Sequence, residues 1–124
     1  MELAKGELAE ILDAGSLDMT RDVYLSRIYN KTASLFSTAA ESGAVLAAAT
    51  EDDIVQLRVY GYNVGMAYQV MDDVLDFIST SEELGKPAGN DLRQGVLTLP
   101  SIMLAEDSPS SKVLMELFQS SPND

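Results

Sequence analysis

Asp72, Asp73 and Asp76 stand at i, i+1 and i+4, and the same stretch holds Gln69, Gly65 and Gly61. Helix side chains four apart lie one turn apart on one side, so Asp72 and Asp76 can address a common point with Asp73 beside it. Three carboxylates this close repel one another unless a counter-ion sits among them, and no Lys or Arg occurs between Val59 and Phe77. An all-oxygen ligand set favours a hard cation. Few carboxylates with open positions favour magnesium shared with a phosphate over a calcium cage. A cation for phosphate follows closely, as Lys86 within Gly85-Lys86-Pro87-Ala88-Gly89, where flexible backbone can also donate N–H groups. The GxxxxGK[ST] spacing of a P-loop is absent. Each feature has a plainer alternative: a solvated acidic helix face, and surface lysines at Lys86 and Lys31. Asp91 and Arg93 can simply pair locally, a contact worth little.

The elements that must position these residues are helical. Leu3–Ala14 carries Leu8, Ile11 and Leu12 on one side and stops at Gly15. Thr20 is a suitable N-cap for a helix bearing Val23, Tyr24, Arg27 and Ile28. In Lys31–Ala49, Ala33, Phe36, Ala40, Ala44 and Ala47 form a small-residue face suited to close helix contact. Thr50-Glu51-Asp52-Asp53 is a strong start signal, and the helix it opens is expected to reach Ser79. Gly61 and Gly65 inside that helix each cost about 1 kcal/mol relative to Ala, so close approach of something to the backbone must justify them. At about 100° per residue, Gly65, Asp76, Gln69, Tyr62 and Asp73 fall in one strip beside Asp72, and the rest of the circumference is apolar. That apolar arc is nearly twice the usual width and predicts a helix buried on all sides but the strip. Ser81–Gly95 reads as a loop, followed by shorter helices at Val96–Ala105 and Ser111–Phe118. The class is all-α.

Composition removes many chemistries. The chain has 124 residues, no Cys and no His, which excludes disulfides, thiol nucleophiles, His-based zinc sites and Ser-His-Asp triads. A net charge of −12 argues against nucleic acid and anionic membranes as partners. The longest uncharged run, Val59–Met71, is too short and too polar at Tyr62-Asn63 to span a bilayer. Glu7, Glu10 and Asp13 interrupt any signal-peptide core, so the expectation is a cytoplasmic protein.

Together these residues resemble the trans-isoprenyl (polyprenyl) diphosphate synthases. Tyr24-x6-Lys31-Thr32-Ala33 is similar to the family's Y…KTA segment. Gly61–Asp76 (GYNVGMAYQVMDDVLD) resembles its second aspartate-rich motif. Gly85–Pro100 (GKPAGNDLRQGVLTLP) resembles its GKPxGxDLRxGKxTLP loop and helix start. The resemblance implies an antiparallel helical bundle, part of the isoprenoid synthase fold. It implies a reaction in which magnesium ionises an allylic diphosphate and the cation is attacked by isopentenyl diphosphate. It implies Asp72, Asp73 and Asp76 as the second metal motif, and Lys31 and Lys86 on the leaving diphosphate. Thr32 and Gln69 would face the developing cation.

The resemblance reaches nearly all of this chain but less than half of the family's length. The family's first DDxxD motif has no counterpart, since Asp52-Asp53 lacks the third Asp and sits at a helix start. Residues 1–124 are therefore expected to be a single all-α fragment or truncated homologue, inactive alone, that forms a homodimer or associates with the missing N-terminal half. Val96 stands where the family usually has a second loop lysine. That substitution keeps open a non-catalytic regulatory subunit of a heteromeric synthase. An acidic helical interaction module is the third possibility. Terpene cyclases rank low, because their second motif carries Asn and Ser/Thr where this chain has DDVLD.

Overall fold

The computed structural model describes Glu2, residues 20–85 and 89–107, and Glu116; every regular element among them is helical. The helix expected at Leu3–Ala14, its stop at Gly15, Lys86 and, apart from Glu116, the helix expected at Ser111–Phe118 lie outside the described residues. The chain divides into two compact units, one formed by residues 1–9 and 25–70, the other by residues 10–24 and 71–124.

Helix α1 (Arg21–Ile28) starts where the sequence places its cap, with the Val23 N–H donating to Thr20 Oγ1 at 3.3 Å. It does not end before Lys31. It widens into a π-helical turn, Tyr29–Ala33, and continues as α2 (Ser34–Leu46). No Gly or Pro lies between Thr20 and Gly43 to break the chain, so the extra residue is absorbed as a wide turn instead. Helix α2 closes on a Schellman pattern, Ala49 N–H to the Ala44 carbonyl and Ala48 N–H to the Val45 carbonyl, with Ala48 left-handed at φ 54°. The Asp53 N–H then donates to Thr50 Oγ1 at 3.2 Å and opens α3 (Glu51–Ile78, 28 residues).

Within the first unit, α2 and α3 run antiparallel and very close. A Cβ placed on Gly61 would lie 2.5 Å from the Phe36 carbonyl oxygen and 2.9 Å from Ala40 Cβ. One on Gly65 would lie 2.7 Å from Ala33 Cα. The small-residue face expected on the first helix is the surface that meets these glycines. Ser37 Oγ donates to the Arg58 carbonyl at 3.1 Å, tilted ring pairs join Tyr29 to Tyr62 and Phe36 to Tyr68, and an exposed Arg58–Glu41 ion pair adds little.

The burial of α3 reverses the expectation from its hydrophobicity. Gly61, Gly65, Gln69, Asp73 and Asp76, each three or four residues after the last, are the covered positions. The apolar seam Leu57, Tyr60, Val64, Tyr68, Met71, Leu75 and Ile78 is exposed. Glycine lets a neighbouring backbone approach, and each buried polar side chain on the strip has a polar partner, so this side is the one that packs. The seam keeps a spacing of three and four residues, the pattern of a helix face that meets another helix.

In the second unit, the segment expected to be a loop contains two single-turn helices. Thr80 and Glu83 form a reciprocal capping box at the start of α4 (Ser81–Leu84), and Gly85 ends it at φ 68°. Gly89, at φ 69°, precedes α5 (Asn90–Arg93). Helix α6 (Leu99–Glu106) begins three residues later than expected, because Thr98 is extended and Pro100 suits only the first turn. Tyr24, Leu97 and Ile102 are fully buried, and Arg21 meets Glu106 through hydrogen bonds of 2.7 to 3.1 Å. That hydrogen bonding holds the exposed Glu106 carboxyl below the usual carboxylate range.

Candidate functional site

The π-helical turn carries two of the sequence-predicted residues, Lys31 and Thr32. A π turn rotates the side chains that follow it relative to a plain α-helix, and such turns recur at functional sites. Here Thr32 Oγ1 donates to Gln69 Oε1 at 2.7 Å. The two side chains expected to face a developing cation are thus joined, although 37 residues separate them. Lys31 is half-buried.

The three aspartates have three different surroundings. Asp72 is exposed. Asp73 is 5% exposed and accepts a hydrogen bond from the Tyr24 hydroxyl, itself fully buried. Asp76 is 2% exposed, and its Oδ2 accepts from the Asp91 N–H at 3.1 Å. The Asp76 carbonyl also accepts from the Gly89 N–H, at 2.7 Å. A buried carboxylate is tolerated only with such donors. Among the described residues, no group of three or more Asp or Glu side chains is arranged to hold a metal ion. Of these three aspartates, Asp72 alone is open to solvent. That suits magnesium, which takes one or two carboxylates and completes its octahedron with water and phosphate oxygens.

Two contributors were not visible in the side-chain pattern. Tyr24, 49 residues from Asp73, had only its place in the Y…KTA segment to mark it. Asp91, for which the sequence offers a local pairing with Arg93 as the plainer alternative, contributes its backbone N–H to Asp76. The Tyr24 contact has a measurable weight. Tyr24→Phe leaves the buried Asp73 carboxylate short of one donor and is expected to cost about 2 kcal/mol of stability. Urea denaturation followed by circular dichroism checks this, and an unchanged midpoint would show that the hydroxyl carries nothing.

The polyprenyl synthetase family model matches residues 1–124. The chain is 42% identical over 120 residues to heptaprenyl diphosphate synthase component 2 of Bacillus subtilis, spanning 97% of this chain and 34% of that protein. It is 38% identical to a chloroplastic solanesyl-diphosphate synthase of rice over 93% of its length and 28% of the relative's. Among solved structures, it resembles heptaprenyl diphosphate synthase of Staphylococcus aureus with a TM-score of 0.91 and 34% identity. That match covers 99% of this chain and 38% of the other. A polyprenyl synthase of Caulobacter crescentus, solved with calcium and isoprenyl diphosphate, gives a TM-score of 0.86 at 34% identity, with the same coverage of the two chains. The chain spans about a third of the length of the curated relatives it matches. With helices throughout the described residues, the covered Gly-Gln-Asp strip and a match along its whole length, this chain belongs to the polyprenyl synthetase family and has the isoprenoid synthase fold.

Proposed function

We propose that this chain supplies the second-motif part of a trans-prenyltransferase that condenses an allylic diphosphate with isopentenyl diphosphate. The observation that carries the reading is the division within the acidic motif: Asp72 is open, while Asp73 and Asp76 are buried behind it on protein donors. Magnesium, when bound, supplies the charge that makes diphosphate a good leaving group. Asp72 would hold that ion. Lys31 and Lys86 bind the diphosphate, whose charge grows as the carbon–oxygen bond breaks, so they act more strongly in the transition state than in the ground state. Thr32 and Gln69, already hydrogen-bonded to each other, present oxygen dipoles to the cationic carbon chain. The calcium and isoprenyl diphosphate in the Caulobacter relative support a divalent ion and a diphosphate as the ligand pair.

The partner is a helical segment that carries a first aspartate-rich motif, and it covers the Leu57–Ile78 seam. The exposed apolar side chains there support this reading, as does the name of the Bacillus relative, a component 2. No described helix is long and apolar enough to cross a membrane. Val96 in place of the family's loop lysine favours the regulatory-subunit alternative, because it removes one cation from the diphosphate site.

The test is a prenyl-transfer assay with magnesium, an allylic diphosphate and isopentenyl diphosphate. The pure 124-residue chain is expected to give no product, and to give product when mixed with the first-motif half of a relative. Turnover by the pure chain that disappears in Asp72→Asn would overturn the need for a partner. No product from the mixture would favour the regulatory subunit. Alone, the chain is also expected to self-associate and to bind a hydrophobic dye through the seam. A compact monomer that binds no dye would contradict the partner assignment.

A further inference from the structure

We infer that the first turn of α6 holds one buried water molecule, bound between the hydroxyls of Thr98 and Ser101. The two side chains stand three residues apart at the start of the helix and are 3% and 2% exposed. Among the described residues, neither Thr98 Oγ1 nor Ser101 Oγ has a hydrogen-bond partner. The buried polar strip on α3 is built differently, since Gln69, Asp73 and Asp76 each meet a protein donor. A hydroxyl taken out of water and left unpaired is costly, and a folded chain seldom carries two such groups within one turn.

The local backbone shows why both hydroxyls are left over. Thr98 occupies the N-cap of α6 with an extended backbone, φ −113° and ψ 176°, and is of a residue type that caps well. An N-cap oxygen accepts from the N–H of the second or third helical residue. The second is Pro100, which has no N–H, and the third is Ser101, yet no side-chain cap bond forms. The turn itself is complete, because the Ile102 N–H donates to the Thr98 carbonyl at 3.0 Å. The cap therefore leaves the Ser101 N–H to another acceptor. A buried water makes about three hydrogen bonds, and two hydroxyls with one N–H offer that number. Other guests fit less well. Neither side chain is charged, so a metal ion or a phosphate shut in here would exchange its hydration for neutral dipoles alone. The flanking Leu97 and Ile102 are fully buried, which sets this turn in the core and encloses the guest.

A crystal structure of the 124-residue chain and a double-mutant cycle test the site together. Electron density for one water within hydrogen-bonding distance of both hydroxyl oxygens is expected in the parent, and again in Thr98→Ser, which keeps the oxygen. In urea denaturation, Ser101→Ala and Thr98→Val are each expected to lower the folding equilibrium constant about fivefold or more, because each strands the water and the opposite hydroxyl. The double variant is expected to fall well short of the product of the two, since the second change removes a group that the first has already stranded. Hydroxyls buried without a water give the opposite sign. Each apolar replacement then removes a desolvated group, so both single variants raise the folding constant and their effects multiply, which overturns the site. A parent crystal structure that shows the two hydroxyls bonded to protein groups overturns it too. So does one with ordered water elsewhere in the interior and none between Thr98 and Ser101, and that reading stands even where a variant fails to fold.

Discussion

Gly61→Ala is expected to destabilise the chain by about 1–2 kcal/mol, against the ordinary preference of helices for alanine. In an exposed helix interior the change would stabilise by about 1 kcal/mol. At Gly61 the new methyl would sit 2.5 Å from the Phe36 carbonyl oxygen and 2.9 Å from Ala40 Cβ. The nearest obstacle is backbone, which cannot rotate away, so the two helices must separate. Overpacking of this kind costs about 1–3 kcal/mol and sometimes more, and here it must first cancel the propensity gain. Gly65→Ala meets Ala33 Cα at 2.7 Å and should behave alike. Gly43 is the internal control: nothing lies within 4 Å of its added Cβ, so Gly43→Ala should stabilise by about the propensity difference. Chemical denaturation of the three variants separates the two effects. Stabilisation by Gly61→Ala equal to that of Gly43→Ala would show that the helices do not pack through this strip.

The second large effect belongs to Asp72. Asp72→Asn is expected to abolish the gain in magnesium affinity that inorganic diphosphate brings, with folding stability changed by less than about 0.5 kcal/mol. The carboxylate is exposed, so its loss leaves no buried donor unpaired. In the proposed site it would contribute one inner-sphere ligand, and the amide oxygen that replaces it would carry no net charge to hold the ion. Asp73→Asn offers the contrast. It alters a buried acceptor of the Tyr24 hydroxyl and should lower stability, whatever it does to binding. Calorimetry and thermal denaturation on both variants separate a ligand from a buried acceptor. If Asp72→Asn raises stability by relieving repulsion and leaves diphosphate binding alone, the strip is a solvated acidic face.

The helical class, the Thr20 and Thr50 caps and the extent of α3 were legible because each depends on residues within a turn of one another. The membership of the strip on α3 was also legible, since a period of 3.6 fixes which residues share a side. Its burial was not. A helical wheel ranks faces by hydrophobicity, and here the covered face is the one whose small residues admit a neighbouring helix and whose polar residues find distant partners. Those partners, Thr32 for Gln69, Tyr24 for Asp73 and the Asp91 N–H for Asp76, lie 37, 49 and 15 residues away. No local pattern announces them. The continuity of α1 into α2 was missed for a related reason: a π turn has no composition of its own and is set by how the helices on either side must pack. The proposed site residues rest mainly on their resemblance to a family. Residue spacing alone left Lys86 and Lys31 as surface lysines and could not divide the work among the three aspartates.

The measurement that bears most directly on the central claim is a calorimetric titration of the 124-residue chain with magnesium, with and without inorganic diphosphate. One open carboxylate in the proposed site would hold magnesium only weakly, while a diphosphate would supply further oxygens and, on the proposal, would itself be held by Lys31 and Lys86 through charge-assisted contacts. Weak binding of magnesium alone and at least about tenfold tighter binding with diphosphate are expected, a coupling of about 1.4 kcal/mol. The same magnesium affinity with and without diphosphate would contradict that claim.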